Sequence, residues 1–250
     1  GSLLSLGLAL EGIKKDILLY NQSPLPAVYH FLPSIHRIKN EVDDFDGFDT
    51  AVILDCSDLQ RVGDAAEAIS RIPILINIDH HVTNNRFGNY QLIDAKASAT
   101  ADIIYRLITE MKIPITTAMA YAIYTGIMAD TGSFRFSNTT PQAFQICHEM
   151  VQLGADPHKV AHHLYETISL NRIKLLNMLF DTIEVSENGK LSIMTLTQNM
   201  LHATGTAIAD VNGLINYAKR IENVRVAAML YERASGKRPR SNGGSPFHVS

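Results

Sequence analysis

No run in this chain of 250 residues approaches the ~20 consecutive apolar residues of a membrane-spanning helix, so no membrane partner is expected. The opening "GSLLSLGLALEG" (1–12) lacks the basic leader and cleavage pattern of a signal peptide and reads as an amphipathic or buried helix. Cysteine is scarce. Cys56 and Cys147 are too few for a disulfide framework, and their apolar surroundings suit a reducing compartment, so the expected location is the cytoplasm. An excess of one charge is missing too, because 22 basic residues stand against 25 acidic ones for a net charge of -3. No global basic field draws the chain onto nucleic acid or an anionic membrane, and any such contact has to be local.

What the chain does have is apolar content, at 46%, enough for one large domain or two modest ones, of which two is the preferred reading. Two short apolar runs, "AVILD" (51–55) and "ILINI" (74–78), flank "GDAAEAISRI" (63–72), which reads as a helix. Such a strand-helix-strand unit is almost always a right-handed crossover between parallel strands. Asp55 and the cluster Asp79, His80 and His81 then arrive at one carboxyl edge, where open α/β sheets place their ligands. A further helix, "TAMAYAIYTGIM" (117–128), is apolar almost all round and stops at "ADTGSFRFSNTT" (129–140). That turn is rich in Gly, Ser, Asn and Thr, and its amides and hydroxyls are expected to suit an anion. Upstream, Ser98 and Thr100 suit the start of a helix aimed at the same region.

Three adjacent polar residues in "INIDHHVTNN" (76–85) cannot all decorate one face of a strand, since successive side chains alternate. Any one of these residues alone is more often a cap or a core histidine. Three elements converging on one edge change that balance. Asp55, Asp130 and His80 make a mixed oxygen and nitrogen set that suits Mn²⁺ or a related divalent ion such as Mg²⁺ or Co²⁺ better than a thiolate zinc site. Two such ions roughly 3.5 to 4 Å apart can clamp a phosphoryl group for in-line attack.

The stretches "LDCSD" (54–58), "DHH" (79–81) and "ADTGSFRF" (129–136), in that order and spacing, resemble the second, third and fourth motifs of the DHH phosphoesterase family. The resemblance extends to "ASATADII" (97–104) and to "GLINYAKRIENVRVAAMLYE" (213–232), which looks like the DHH-associated domain of the NrnA-like branch, with oligoribonuclease and 3'-phosphoadenosine 5'-phosphate (pAp) phosphatase activity. It implies an α/β architecture: a parallel-sheet catalytic domain over residues 1–164, a linker helix over 165–188 and a partial, smaller α/β substrate-binding domain over 189–250. Carried over by position, Asp55 bridges two metals, while His80 and Asp130 ligate one of them. His81 faces the scissile phosphate and Asp79 orients the groups around it. Arg61 is either a supporting group at that edge or a partner in a surface salt bridge. Ser98, Arg240 and Ser241 are candidate substrate contacts, the last two within "KRPRSNGGSPFHVS" (237–250), whose bland alternative is an exposed basic tail.

Two departures from the family pattern stand out. Its first motif, a histidine followed shortly by an Asp-x-Asp-Gly run, belongs just ahead of the opening helix and is not found there, and the glycine-rich loop ending in histidine beyond the Arg-Ser strand is missing too. The chain is therefore expected to be truncated at both ends, with three ligands absent, and an unpaired sheet edge is expected to promote self-association, a homodimer included. The implied activity is hydrolysis of short RNA to mononucleotides and of pAp to AMP. Scattered aromatics fit a short substrate, with no long single-strand platform. A cyclic or linear dinucleotide phosphodiesterase is the nearest alternative, whereas a pyrophosphatase matches neither "RSNG" nor "GLINYAKRIENV". From a different class, a catalytically incomplete nucleotide-binding fragment remains open. His162 and His163, about 100° apart on a helix, read as a solvated or packing pair. "EVDDFDGFD" (41–49) lacks the register of a calcium loop and reads as a solvated loop.

Overall fold

Apolar runs of five or six residues become the strands, and the polar turns between them carry the chain to one edge. The computed structural model describes residues 1–211 and 213–232, and the chain divides into two units, Gly1–Thr167 and Ile168–Ser250. In the first unit, helix α1 (Ser2–Gly12) buries Leu4, Leu6 and Ala9. Two-residue strands β1 (Leu19–Tyr20) and β2 (Ile38–Lys39) pair in parallel. Strand β3 (Thr50–Leu54), helix α2 (Ala66–Ile69), strand β4 (Ile74–Asp79) and strand β5 (Tyr90–Ile93) follow, and the three strands form a parallel sheet in the order β3-β4-β5.

Helix α2 spans four residues, shorter than the expected 63–72. Its place is partly taken by a 3₁₀ turn, Leu59–Val62, which Asp58 caps by accepting the Gln60 amide at 2.8 Å. Gly63, at φ +89°, ends that turn, and the helix starts only beyond it. Ile69 and Ile72 still reach Ile53 to cover one face of the sheet. The acidic loop 41–49 is anchored by its phenylalanines, since Phe45 and Phe48 pack against this cluster and Phe45 meets Tyr20 edge to face at 5.5 Å.

Helices α3 (Thr100–Glu110), α4 (Thr117–Asp130), α5 (Pro141–Gln152) and α6 (Pro157–Ala161) complete the layer. The all-round apolar sequence of α4 is explained by its neighbours, because it packs against α1, α3 and α5 and fully buries Ala120, Ala122, Ile123 and Ile127. Each large aliphatic buried this way contributes about 1.5–3 kcal/mol relative to exposure. Thr116 caps the helix through its hydroxyl, so the start of α4 is fixed and its last residue, Asp130, is delivered to the sheet's carboxyl edge. A π-helical turn, His162–Glu166, follows α6. There His163 stacks on Phe31 at 4.4 Å and His162 stays exposed beside Glu166, so one histidine of the pair packs and the other is solvated.

The second unit is a smaller α/β body. It runs α7 (Leu170–Phe180), β6 (Glu184–Val185), β7 (Leu191–Leu196), α8 (Gln198–Thr204), α9 (Ile215–Lys219) and β8 (Val226–Tyr231). Strand β7 is central, antiparallel to β6 and parallel to β8. Alternation along β7 turns Ser192, Met194 and Leu196 inward, and the Ser192 hydroxyl is satisfied by the Ala218 carbonyl at 3.0 Å. Helix α7, within the stretch read as a linker, contributes Leu175 and Leu179 to this core. Among the described residues no helix is long and apolar enough to cross a membrane. The architecture is mixed α/β with a parallel sheet, as the sequence leads one to expect.

Candidate active site

Strands β3 and β4 end side by side. Leu54 pairs with Ile78, and the Asp55 amide donates to the Ile78 carbonyl at 3.0 Å, so the ladder continues one residue past the strand. There Asp55 turns the chain at φ +59°, a left-handed conformation that Asp tolerates better than most residues and that recurs at functional sites. Its carboxylate is half exposed, and Oδ1 accepts from Thr100 Oγ1 at 2.7 Å. Thr100 opens α3, which ties that helix to the strand edge.

Asp79 is fully buried. Its Oδ1 accepts from the His80 amide at 2.8 Å and from His81 Nδ1 at 2.7 Å, while Oδ2 accepts from Asn84 at 2.7 Å. Burial alone would raise its pKa, yet the bonds from Asn84 and His81 outweigh it and hold the carboxyl below the usual range. His80 Nδ1 meets the Ala97 carbonyl at 3.3 Å, and since a carbonyl only accepts, that nitrogen carries the proton. Its Nε2 then faces the acidic side of the site, 3.2 Å from Asp130 Oδ2 and 3.7 Å from Asp55 Oδ1. His81 lies edge-on to His80, with ring centroids 4.7 Å apart, and its Nδ1 is 4.0 Å from Asp55 Oδ1.

Asp130 closes the cluster from the last residue of α4. Burial raises its pKa first, His80 opposes that, and the Asp55 carboxylate adds to it. A cavity of about 260 Å³ opens against Asp55, Thr100 and Asp130, with Tyr29, Thr125 and Gly126 also in its wall. Thr125 Oγ1 is buried there with no hydrogen-bond partner among the described residues. Next to Asp55, burial first and the Asp55 and Asp79 carboxylates further push the Cys56 thiol up to about 11, with Arg61 opposing. Among the described residues the side chains grouped closely enough to share a metal ion are Asp55, His80 and His81, an oxygen and nitrogen donor set without cysteine.

The structure thus brings together Asp55, Asp79, His80, His81 and Asp130. Ser98 is placed otherwise. It is fully buried, and its hydroxyl and amide both donate to Asp102, at 3.1 and 3.2 Å, so its side chain does not reach the cavity. Arg61 is exposed on the 3₁₀ turn and joins none of the ion pairs among the described residues. Arg240 and Ser241 lie outside the described residues. The expected anion-holding turn also reads differently, because the amides of Thr131 to Phe136 are all used within the chain, on carbonyls of α4, on Thr131 Oγ1 or on the Thr131 carbonyl. Its left-handed run at Gly132, Ser133 and Phe134 folds the amides inward.

Several partners escaped sequence reasoning. Asn84 donates to Asp79, to Asn77 Oδ1 and to the Cys56 carbonyl, and Asn77 donates to that same carbonyl at 3.0 Å, which locks the loops after β3 and β4 together. A buried Asn inside "ILINI" was the available signal. Nothing in the sequence marks the Ala97 carbonyl.

Residues 1–127 match the family model described as "DHH family, N-terminal domain". The chain is 30% identical over 247 residues to the bifunctional oligoribonuclease and PAP phosphatase NrnA of Thermus thermophilus, covering 98% of this chain and 72% of that protein. It is 29% identical over 230 residues to the Bacillus subtilis protein of the same name, covering 90% and 70%. The crystal structure of an exopolyphosphatase-related protein from Bacteroides fragilis shares the fold at a TM-score of 0.85 and 23% identity, over 92% of this chain and 71% of that one. A chain matched over its first half by the family model, and over nearly its whole length by relatives named NrnA, belongs to the DHH family.

Proposed function

We propose that this chain is the core of a metal-dependent phosphoesterase that hydrolyses short oligoribonucleotides to mononucleotides and pAp to AMP. The observation that carries the reading is the His80 ring, whose Nδ1 proton is committed to the Ala97 carbonyl while Nε2 faces two carboxylates. A histidine fixed by its second nitrogen and turned toward acidic groups is how proteins prepare a metal ligand. The donor set fits a divalent ion, with Mn²⁺ the proposed one and Mg²⁺ or Co²⁺ as alternatives. When bound, it supplies Lewis acidity to the phosphoryl oxygens.

Asp55, His80 and Asp130 are the proposed ligands. Ligand-type atoms of Asp55, His80 and His81 also lie within 4.8 Å of one another, but His81 Nδ1 is already engaged by Asp79, so Asp130 is the better third donor. Asp55, with Oδ1 near both rings, would be the shared carboxylate if two ions bind. His81 keeps Nε2 for the substrate, where it stabilises charge on the scissile phosphate or moves a proton to the leaving oxygen. Asp79 sets that orientation from the interior. The substrate class follows the relatives named as oligoribonuclease and PAP phosphatase. Release of mononucleotide from a 5'-phosphorylated diribonucleotide with Mn²⁺ tests the reading, and Asp55→Ala and Asp130→Ala are each expected to abolish it. A folded wild-type chain that releases nothing would refute catalysis by this chain.

A further inference from the structure

The turn after Asp130 carries an aromatic ring and a guanidinium that the reading above leaves unused. Phe136 is 55% exposed, although its amide is held by the Thr131 carbonyl at 3.0 Å. Exposure of one Phe is ordinary; its arrangement is not. A Cβ placed on Gly132 would meet Phe136 Cζ, Cε2 and Cε1 at 2.4, 2.6 and 2.7 Å. Three nearly equal distances mean that the ring lies face-on over the glycine, because a head-on approach to Cζ would leave both Cε atoms clearly farther away. One π-face therefore rests on Gly132 and the other is open. Phe134, by contrast, has a partner, stacking with Phe144 at 5.1 Å.

Arg135, between the two phenylalanines in the chain, meets the same glycine. Its Nε donates to the Gly132 carbonyl at 2.6 Å, which tethers the guanidinium and leaves both Nη groups for another acceptor. It joins no ion pair among the described residues. The turn is fixed to the site, since Asn138 Nδ2 donates to the carbonyls of Asp130 at 3.1 Å and Ser98 at 2.8 Å. An open aromatic face of one-ring size, with a tethered cation beside it and a metal-suited carboxylate a few residues away, matches one nucleotide unit.

We propose that Phe136 and Arg135 form a nucleotide subsite in which Phe136 stacks a base of the substrate and Arg135 holds a neighbouring, non-scissile phosphate. The inference rests on the phosphoesterase reading and deepens it, since it makes preference for a base-bearing phosphodiester a property of this turn. The test compares kcat/KM with Mn²⁺ for a 5'-phosphorylated diadenylate and for the same backbone without bases, in the wild type, Phe136→Ala and Phe136→Leu. Calorimetric binding of AMP is measured alongside. Phe136→Ala is expected to lower kcat/KM for the diadenylate about ten-fold, mainly through KM, to weaken AMP to the same extent and to leave the abasic substrate unchanged. Phe136→Leu, which still covers Gly132, separates loss of the π-face from loss of the fold and is expected to follow the alanine variant in direction. Equal loss on both substrates, or unchanged AMP binding, would overturn the subsite. A wild type that cleaves neither substrate yet binds AMP through Phe136 would remove the phosphoesterase reading and keep the subsite.

Discussion

Asp79 shows what a single residue does at this site. It never meets the cavity, yet each of its oxygens accepts from a group that the site depends on: the His80 amide, His81 Nδ1 and Asn84 Nδ2. Asparagine is nearly isosteric but presents one oxygen and one NH₂, so a donor would face a donor. Asp79→Asn is therefore expected to cost about 1–3 kcal/mol of stability and to lower turnover about 10- to 100-fold with the divalent-ion requirement intact. Chemical denaturation and steady-state kinetics measure both, and nitrogen NMR of the His81 ring shows whether Nδ1 has lost its proton. Full turnover with an unchanged His81 tautomer would show that the buried carboxylate has no positioning role. The sequence made Asp79 visible through its neighbours, whereas Asn84 and the Ala97 carbonyl were not. Their contributions depend on how two turns fold back, and no local pattern encodes that.

Elements carry these residues to one edge, and α3 shows how an element is held. Arg106 donates from Nη2 to Asp94 at 2.7 Å and from Nε to Asp102 at 3.0 Å, and Asp102 accepts in turn from Ser98. The end of β5 is thus clipped to the first turns of α3, which begin with Thr100 on Asp55. The Arg106 hydrogen bond chiefly, helped by the Lys96 amide and against some burial, depresses the Asp94 pKa. A depressed carboxylate contributes stability above its unfolded value, near 3.9, and loses it as pH falls through the folded value. Both partners are partly exposed, so solvent screening limits Asp94→Asn to a loss of about 0.5–1 kcal/mol at neutral pH. That loss is expected to shrink below about pH 4, and urea melts at both pH values check it. A gap that persists in acid would assign the effect to packing. At this scale the strands and α4 were legible because apolar runs and all-round burial leave plain patterns. The length of α2 was not, since it depends on Gly63 at φ +89°, and neither was the inward turn of the amides at 131–136.

At the scale of the molecule, the chain divides into Gly1–Thr167 and Ile168–Ser250, each with a core of its own. Every proposed metal ligand lies in the first unit, whose core gathers around Ile104, Ile123 and Ile127, while the second has its own core of Leu175, Leu179, Met194 and Leu214. Units with separate cores unfold as separate cooperative bodies unless a large apolar interface couples them. Calorimetry is accordingly expected to resolve two transitions. A ligand that binds only one native body stabilises that body alone, by about 2.7 kcal/mol when present at a hundred times its Kd. Mn²⁺ should therefore raise one transition and leave the other in place, and Asp55→Ala should cancel the rise. Leu179→Ala removes a fully buried side chain from the second core and is expected to lower only the metal-insensitive transition, by about 2–5 kcal/mol. A single transition that moves as a whole with Mn²⁺ and with Leu179→Ala would mean that the two units fold as one, and that metal held near Asp55 is felt as far as β7.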